Sequence, residues 1–134
     1  MTQEEKELLL KDLCARLPYV IIVHTWYNKP LDIKCTGIDL YTNTVNLDIP
    51  DDDNAKVYID NCKPYLRPLS SMTEEEKETY PMFFNEDGLL NTSLDTYLEW
   101  LLEGHFDFKG LIPRGLALEA PEGMYNIPFH GKNR

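Results

Sequence analysis

Leu9, Leu10, Leu13 and Leu17 recur at steps of three and four, the spacing that gathers side chains on one face of a helix, and Glu5, Lys6, Lys11 and Asp12 fall largely on the opposite side. Thr2-Gln3-Glu4-Glu5 supplies a capping box at the start of that helix, and Pro18 ends it by pushing its predecessor out of the helical region. The pattern then shortens. Tyr19 to Tyr27 is dense in β-branched and aromatic residues, as a strand requires, and Asn28-Lys29-Pro30 signals a turn. Leu31, Ile33 and Cys35 alternate with Asp32, Lys34 and Thr36, so one face of this second strand meets water, and Gly37 resets the phase through a bulge. Thr42-Asn43 makes a hairpin tip before a third alternating strand, Val45, Leu47 and Ile49. Val57-Tyr58-Ile59 makes a short fourth. Lys63-Pro64-Tyr65-Leu66-Arg67-Pro68 reads as an extended connector, with Tyr65 and Leu66 packed on the sheet.

The second half changes period. Thr73 and Glu76 form another capping box with acids in the first turn, and Pro81 ends or kinks the short helix that follows. Asn85-Glu86-Asp87-Gly88 is a loop. Thr92 or Ser93 caps a further helix through Leu94, Tyr97, Leu98, Leu101 and Leu102, with Gly104 as its stop. Another helical turn is expected over Asp107 to Ile112, and Ile112-Pro113-Arg114-Gly115 and Ala120-Pro121-Glu122-Gly123 make two tight corners. Residues 131–134 are expected to fray. The sum is an α+β chain, one domain over residues 1–134: an N-terminal helix and a four-stranded antiparallel sheet or small partly open barrel (1–68), then a mainly helical half packed on the sheet (69–134).

Charge sharpens this picture. The 134 residues carry a formal charge of −10, and the acidity is regional. Residues 1–38 balance, residues 39–72 sum to −3, residues 73–107 to −9, and the remainder to +2. A chain this acidic does not hold a nucleic-acid backbone across a broad basic face, so no direct nucleic-acid partner is expected. With 43% hydrophobic residues, 8 Tyr, 5 Phe and 2 Trp, it is also too apolar to be a disordered acidic tail. The longest apolar run, Val20 to Val23, is far from the roughly 20 residues a membrane span needs, and the acidic N-terminus does not read as a signal peptide. A cytoplasmic protein is the expectation.

Chemistry-bearing groups are sparse. Cys14, Cys35 and Cys62 are odd in number and lack CxxC or CxxH spacing, so they read as reduced, half-buried thiols rather than a metal or disulfide framework. Asp48, Asp51, Asp52 and Asp53 could offer oxygens to a divalent cation, but without the spacing or glycine of a calcium loop they read as a solvated tip. His105-Phe106-Asp107 could orient a general base; the simpler reading has His105 capping a helix while Phe106 and Phe108 enter the core. His24 and His130 have no partner at ligand spacing. Lys63, Tyr65 and Arg67 could present an aromatic and two cations, although a packed connector is the favoured explanation of them. No metal and no cofactor is implied. The residues that stand out for contact are Trp26 and Tyr27, large aromatics beside a turn, and the acids Glu74, Glu75, Glu78, Glu99 and Glu103.

Three blocks, Leu13 to Tyr19, Lys63 to Thr73 and Gly115 to Tyr125, carry wording that resembles a family of small acidic proteins encoded by gut Bacteroidales and their mobile elements and phages. The resemblance implies a bacterial or phage cytoplasm and one small domain, and assigns no catalytic residue. Three function classes follow. The first is a non-catalytic protein-interaction module, such as a mobile-element or phage accessory factor that binds a host protein. The second is an acidic mimic of nucleic acid that blocks a DNA- or RNA-binding protein. The third is a small hydrolase or metal-dependent enzyme using His105 and Asp107.

Overall fold

A computed structural model describes residues 1–125; His130 and the stretch 131–134 lie outside the described residues. The first helix, α1 (Gln3–Arg16), begins at the Thr2 capping box, with both reciprocal bonds to Glu5 made. Leu9, Leu10 and Leu13 are buried. Asp12 is buried too, against the outward position its spacing predicts. It faces Arg16 one turn later, with the guanidinium donating to both carboxylate oxygens at 2.7 and 3.2 Å, and an acid with its counter-charge inside can leave the wet face of a helix.

The helix lies across a sheet of β1 (Ile22–Trp26), β2 (Pro30–Asp39), β3 (Thr44–Leu47), β4 (Lys56–Tyr58), β5 (Cys62–Leu66) and β6 (Leu118–Glu119). Asn28 at φ +66 turns β1 into β2, and the ladder slips between Cys35 and Gly37, where the bulge was expected. A Cβ on Gly37 would sit 2.9 Å from the Asn46 amide nitrogen, so a larger residue at the bulge would make that side chain turn aside. The expected four-stranded sheet or partly open barrel is corrected in two ways. The Lys63–Pro68 stretch, expected as an extended connector packed on the sheet, is largely a strand of it: after a 3₁₀ turn (Ile59–Asn61) β5 pairs antiparallel with β1. β6 then adds in parallel to β5, giving the order β4-β3-β2-β1-β5-β6, and β4 and β6 never meet to close a barrel. Pro64 suits this place because proline already favours extended backbone.

The remaining helices are α2 (Glu74–Thr79) and α3 (Leu94–Glu103). Thr73 and Ser93 cap them as expected, Pro81 converts the end of α2 to a 3₁₀ turn (Tyr80–Phe83), and Gly104 ends α3. The helical turn expected over Asp107 to Ile112 does not form. Instead the Asp107 carboxylate accepts the amides of Leu111 and Ile112 at 2.8 and 2.9 Å and holds a loop. The corner expected at Ile112–Gly115 closes with a backbone hydrogen bond from Gly115 to Ile112, whereas the one expected at Ala120–Gly123 closes one residue later, from Met124 to Pro121.

Two hydrophobic clusters result. The larger joins the α1 leucines to the inner sheet face, including Val23, Val45, Leu47 and Leu66. The smaller is built on Trp100, Leu101 and Phe106, with Tyr80, Phe83 and Tyr97 against it. Two buried arginines stand between them. Arg16 donates to the Phe106 carbonyl at 2.8 Å, and Arg67 donates to both oxygens of Glu76 at 2.7 and 3.0 Å while lying 4.4 Å from the Phe106 ring centroid.

Candidate functional site

Among the acids that the sequence singled out, Glu74 and Glu78 project into solvent from α2, and Glu75 is half-buried, its carbonyl accepting the Thr79 hydroxyl. The fourth acid of that run, Glu76, is turned inward: it closes the capping box with Thr73 and binds Arg67. Glu99 and Glu103 follow one another on the polar stripe of α3; burial, then the charges of Glu103 and Glu99, raise the phenol of Tyr19 above its ordinary range. The candidate acids are thus split between two helices, with Glu99 and Glu103 turned toward the α1–β1 loop.

The segment between those helices carries exposed apolar side chains. Met82 is 72% exposed, Leu89 64% and Leu94 58%. They frame a small hairpin in which Phe84 bridges Leu90 and whose tip holds Glu86 and Asp87. Phe84 packs edge-on against Tyr97 with centroids 5.5 Å apart, which ties the hairpin to the aromatic cluster. Sequence periodicity found α3 but not these exposed side chains: Met82 and Leu89 lie in a turn and a loop where no period applies, and Leu94, expected on the inward apolar stripe, is exposed because it opens the first turn of α3.

Trp26 and Tyr27 are separate from the helices and behave differently from each other. Trp26, opposite Pro30 at the end of β1, is 64% exposed. Tyr27 leans back on the larger cluster and donates its hydroxyl to Asp52 at 2.7 Å. With Val57 and Tyr58 they line a shallow groove of about 470 Å³ at the end of the sheet.

One constellation was invisible until β5 took its place. On the sheet face away from α1, His24 stands between Asp32 of β2 and Lys63 of β5. His24 Nδ1 lies 2.8 Å from Asp32 Oδ1, and the Tyr65 hydroxyl donates to the same oxygen at 2.8 Å. Those two bonds, that of His24 first, hold the Asp32 carboxyl below its ordinary range. An ionised carboxylate only accepts, so Nδ1 is the donor in this bond. The signal was the alternation of Lys63 and Tyr65, read as a proline-spaced connector.

His105 and Asp107 do not form a pair. Asp107 spends its oxygens on loop amides, and His105, at φ +63, stacks on Tyr125 with centroids 3.8 Å apart instead of capping α3 through its ring. Burial, then the charges of Arg16 and Arg67, push the imidazole down to about 4. Tyr125 in turn accepts the Ile22 amide at 2.9 Å and donates to the Tyr65 carbonyl at 2.8 Å. In the aspartate loop, Asp52 accepts from Tyr27 and the Asn54 amide, and no group of three metal-ligating side chains occurs among the described residues. Cys35 and Cys62 are buried, which pushes their thiols up to about 11 and about 12, far from thiolate chemistry at neutral pH. No described helix is long and apolar enough to cross a membrane. Compared with family models, curated proteins and solved structures, the chain matches none.

Proposed function

We propose that the protein is a non-catalytic interaction module whose helical lobe docks a basic, partly apolar segment of another protein. The observation that carries this reading is the exposure of Met82, Leu89 and Leu94 within the stretch that holds most of the negative charge. Exposed apolar side chains supply area that a partner can cover, and surrounding carboxylates steer a basic partner and reject an acidic one. Trp26 is a second contact point on a different surface. The resemblance to proteins of gut Bacteroidales and their mobile elements favours a cytoplasmic accessory factor acting on a host protein.

The test is capture from a bacterial lysate by wild-type protein, by a Glu74→Lys/Glu78→Lys variant and by Met82→Ser. The reading expects a basic protein held by wild type and lost from both variants. Retention that ignores both changes, or nothing above background, counts against it.

The density of acid between residues 73 and 107 supports a second reading, a mimic of nucleic-acid charge that blocks a basic groove. The two separate by ionic strength and by Met82. A mimic releases its target fully as salt rises and tolerates Met82→Ser, whereas the docking surface is weakened by salt but keeps an apolar part of its binding, which Met82→Ser removes.

A further inference from the structure

We infer that the open face of the sheet, on β1, β2 and β5, is a stacking platform for a short single-stranded nucleic acid. This surface is distinct from the helical lobe and does not depend on its role. α1 covers one side of the sheet; on the other, the central strand presents His24 and Trp26 two residues apart, with Tyr65 edge-on to the His24 ring at 6.3 Å between centroids. Alternate residues of a strand stand roughly 7 Å apart, which suits bases splayed from a single strand, each against its own ring. Asp32 anchors both His24 and Tyr65, and the exposed Trp26 borders, with His24 and Lys63, a recess of about 250 Å³, large enough for a planar base.

Charge agrees with this occupant locally although the chain as a whole is acidic. Lys63 is the cross-strand neighbour of His24, Lys34 that of Ile22, and Lys29 follows Trp26 in the turn. The acids nearby are already engaged: Asp32 by two donors, and Asp60 by Lys6 at 3.4 Å. The exclusion that net charge imposes concerns a broad basic face. Three lysines reach only two or three phosphates, and stacking carries the rest, so a short single strand fits where a duplex, its bases hidden, does not.

The test measures anisotropy of labelled octamers of oligouridine and oligothymidine, and of a duplex of the same length, at low ionic strength with the full chain. Single strands are expected to bind and the duplex not, and a difference between the two octamers tells RNA from DNA. Trp26→Leu should weaken binding roughly tenfold and Lys63→Glu comparably, with a shallow salt slope of about −2 on the log–log plot. Both side chains are exposed, so unchanged thermal unfolding shows that the loss is local. Single strands that fail to bind, or binding that survives Trp26→Leu, overturns the inference. So does a duplex that binds as well as the octamers.

Discussion

His105 shows how far a single residue's surroundings can move it from what its type suggests. A histidine beside an acid two positions on invites a catalytic reading, yet the ring is sealed against Tyr125 between two guanidinium groups and takes a proton only at about pH 4. The unfolded chain binds that proton near its ordinary value of 6.5. Between those values the unfolded state holds more protons than the folded one, so the contribution of His105 to stability is present above about pH 6.5 and is lost as pH falls toward 4. The loss should reach about 3 kcal/mol at most. His105→Asn, which keeps a residue tolerant of positive φ, should flatten this part of the stability–pH curve measured by urea unfolding. A curve as steep as that of wild type would show that other groups are responsible.

Elements owe their ends to local signals and their positions to packing. Both capping boxes and the Ser93 cap were legible, because a hydroxyl, joined in the two boxes by an acid three residues on, satisfies helix-end amides wherever the helix goes. β5 was not legible as a strand, because Pro64 within it and Pro68 just after it describe an extended backbone equally well whether or not β1 lies alongside. The stop at Gly104 has a reason beyond helix termination. A Cβ there would come within 2.6 and 2.8 Å of the Phe106 ring, which is fully buried between Trp100 and Arg67 and cannot step aside. Gly104→Ala should therefore destabilise by about 1–3 kcal/mol in chemical denaturation, although alanine is the better helix former. A stabilised variant would show that Phe106 has room to move.

Across the whole molecule, the two hydrophobic clusters are joined by polar groups. The Arg67 guanidinium, at the end of β5, reaches Glu76 at the start of α2, the Ser71 carbonyl before it and the Gly104 carbonyl after α3, so a single side chain ties the sheet to both later helices. Arg67→Met leaves the Glu76 carboxylate buried without its counter-charge, and a loss of about 3–5 kcal/mol is expected. Adding Glu76→Leu should restore much of it, since the pair removed together leaves no bare charge. Urea unfolding of the two singles and the double gives the coupling, and strictly additive losses would refute the tie.

What the chain determined by itself is whatever depends on near neighbours: the caps, the leucine face of α1, the bulge at Gly37, the alternation of the first three strands and the concentration of acid after Thr73. Hydrogen bonds to adjacent amides and side-chain periodicity are set within a few residues, so they survive in one dimension. Only the tertiary structure decided which polar groups go inside. Asp12, Arg16, Arg67 and Glu76 look like ordinary surface charges in sequence, and each is buried because a partner far along the chain, or the fold around a neighbouring turn, supplies its hydrogen bonds. The same holds for His24, Asp32 and Tyr65, spread over more than forty positions and united on one face only because β5 returns to lie beside β1.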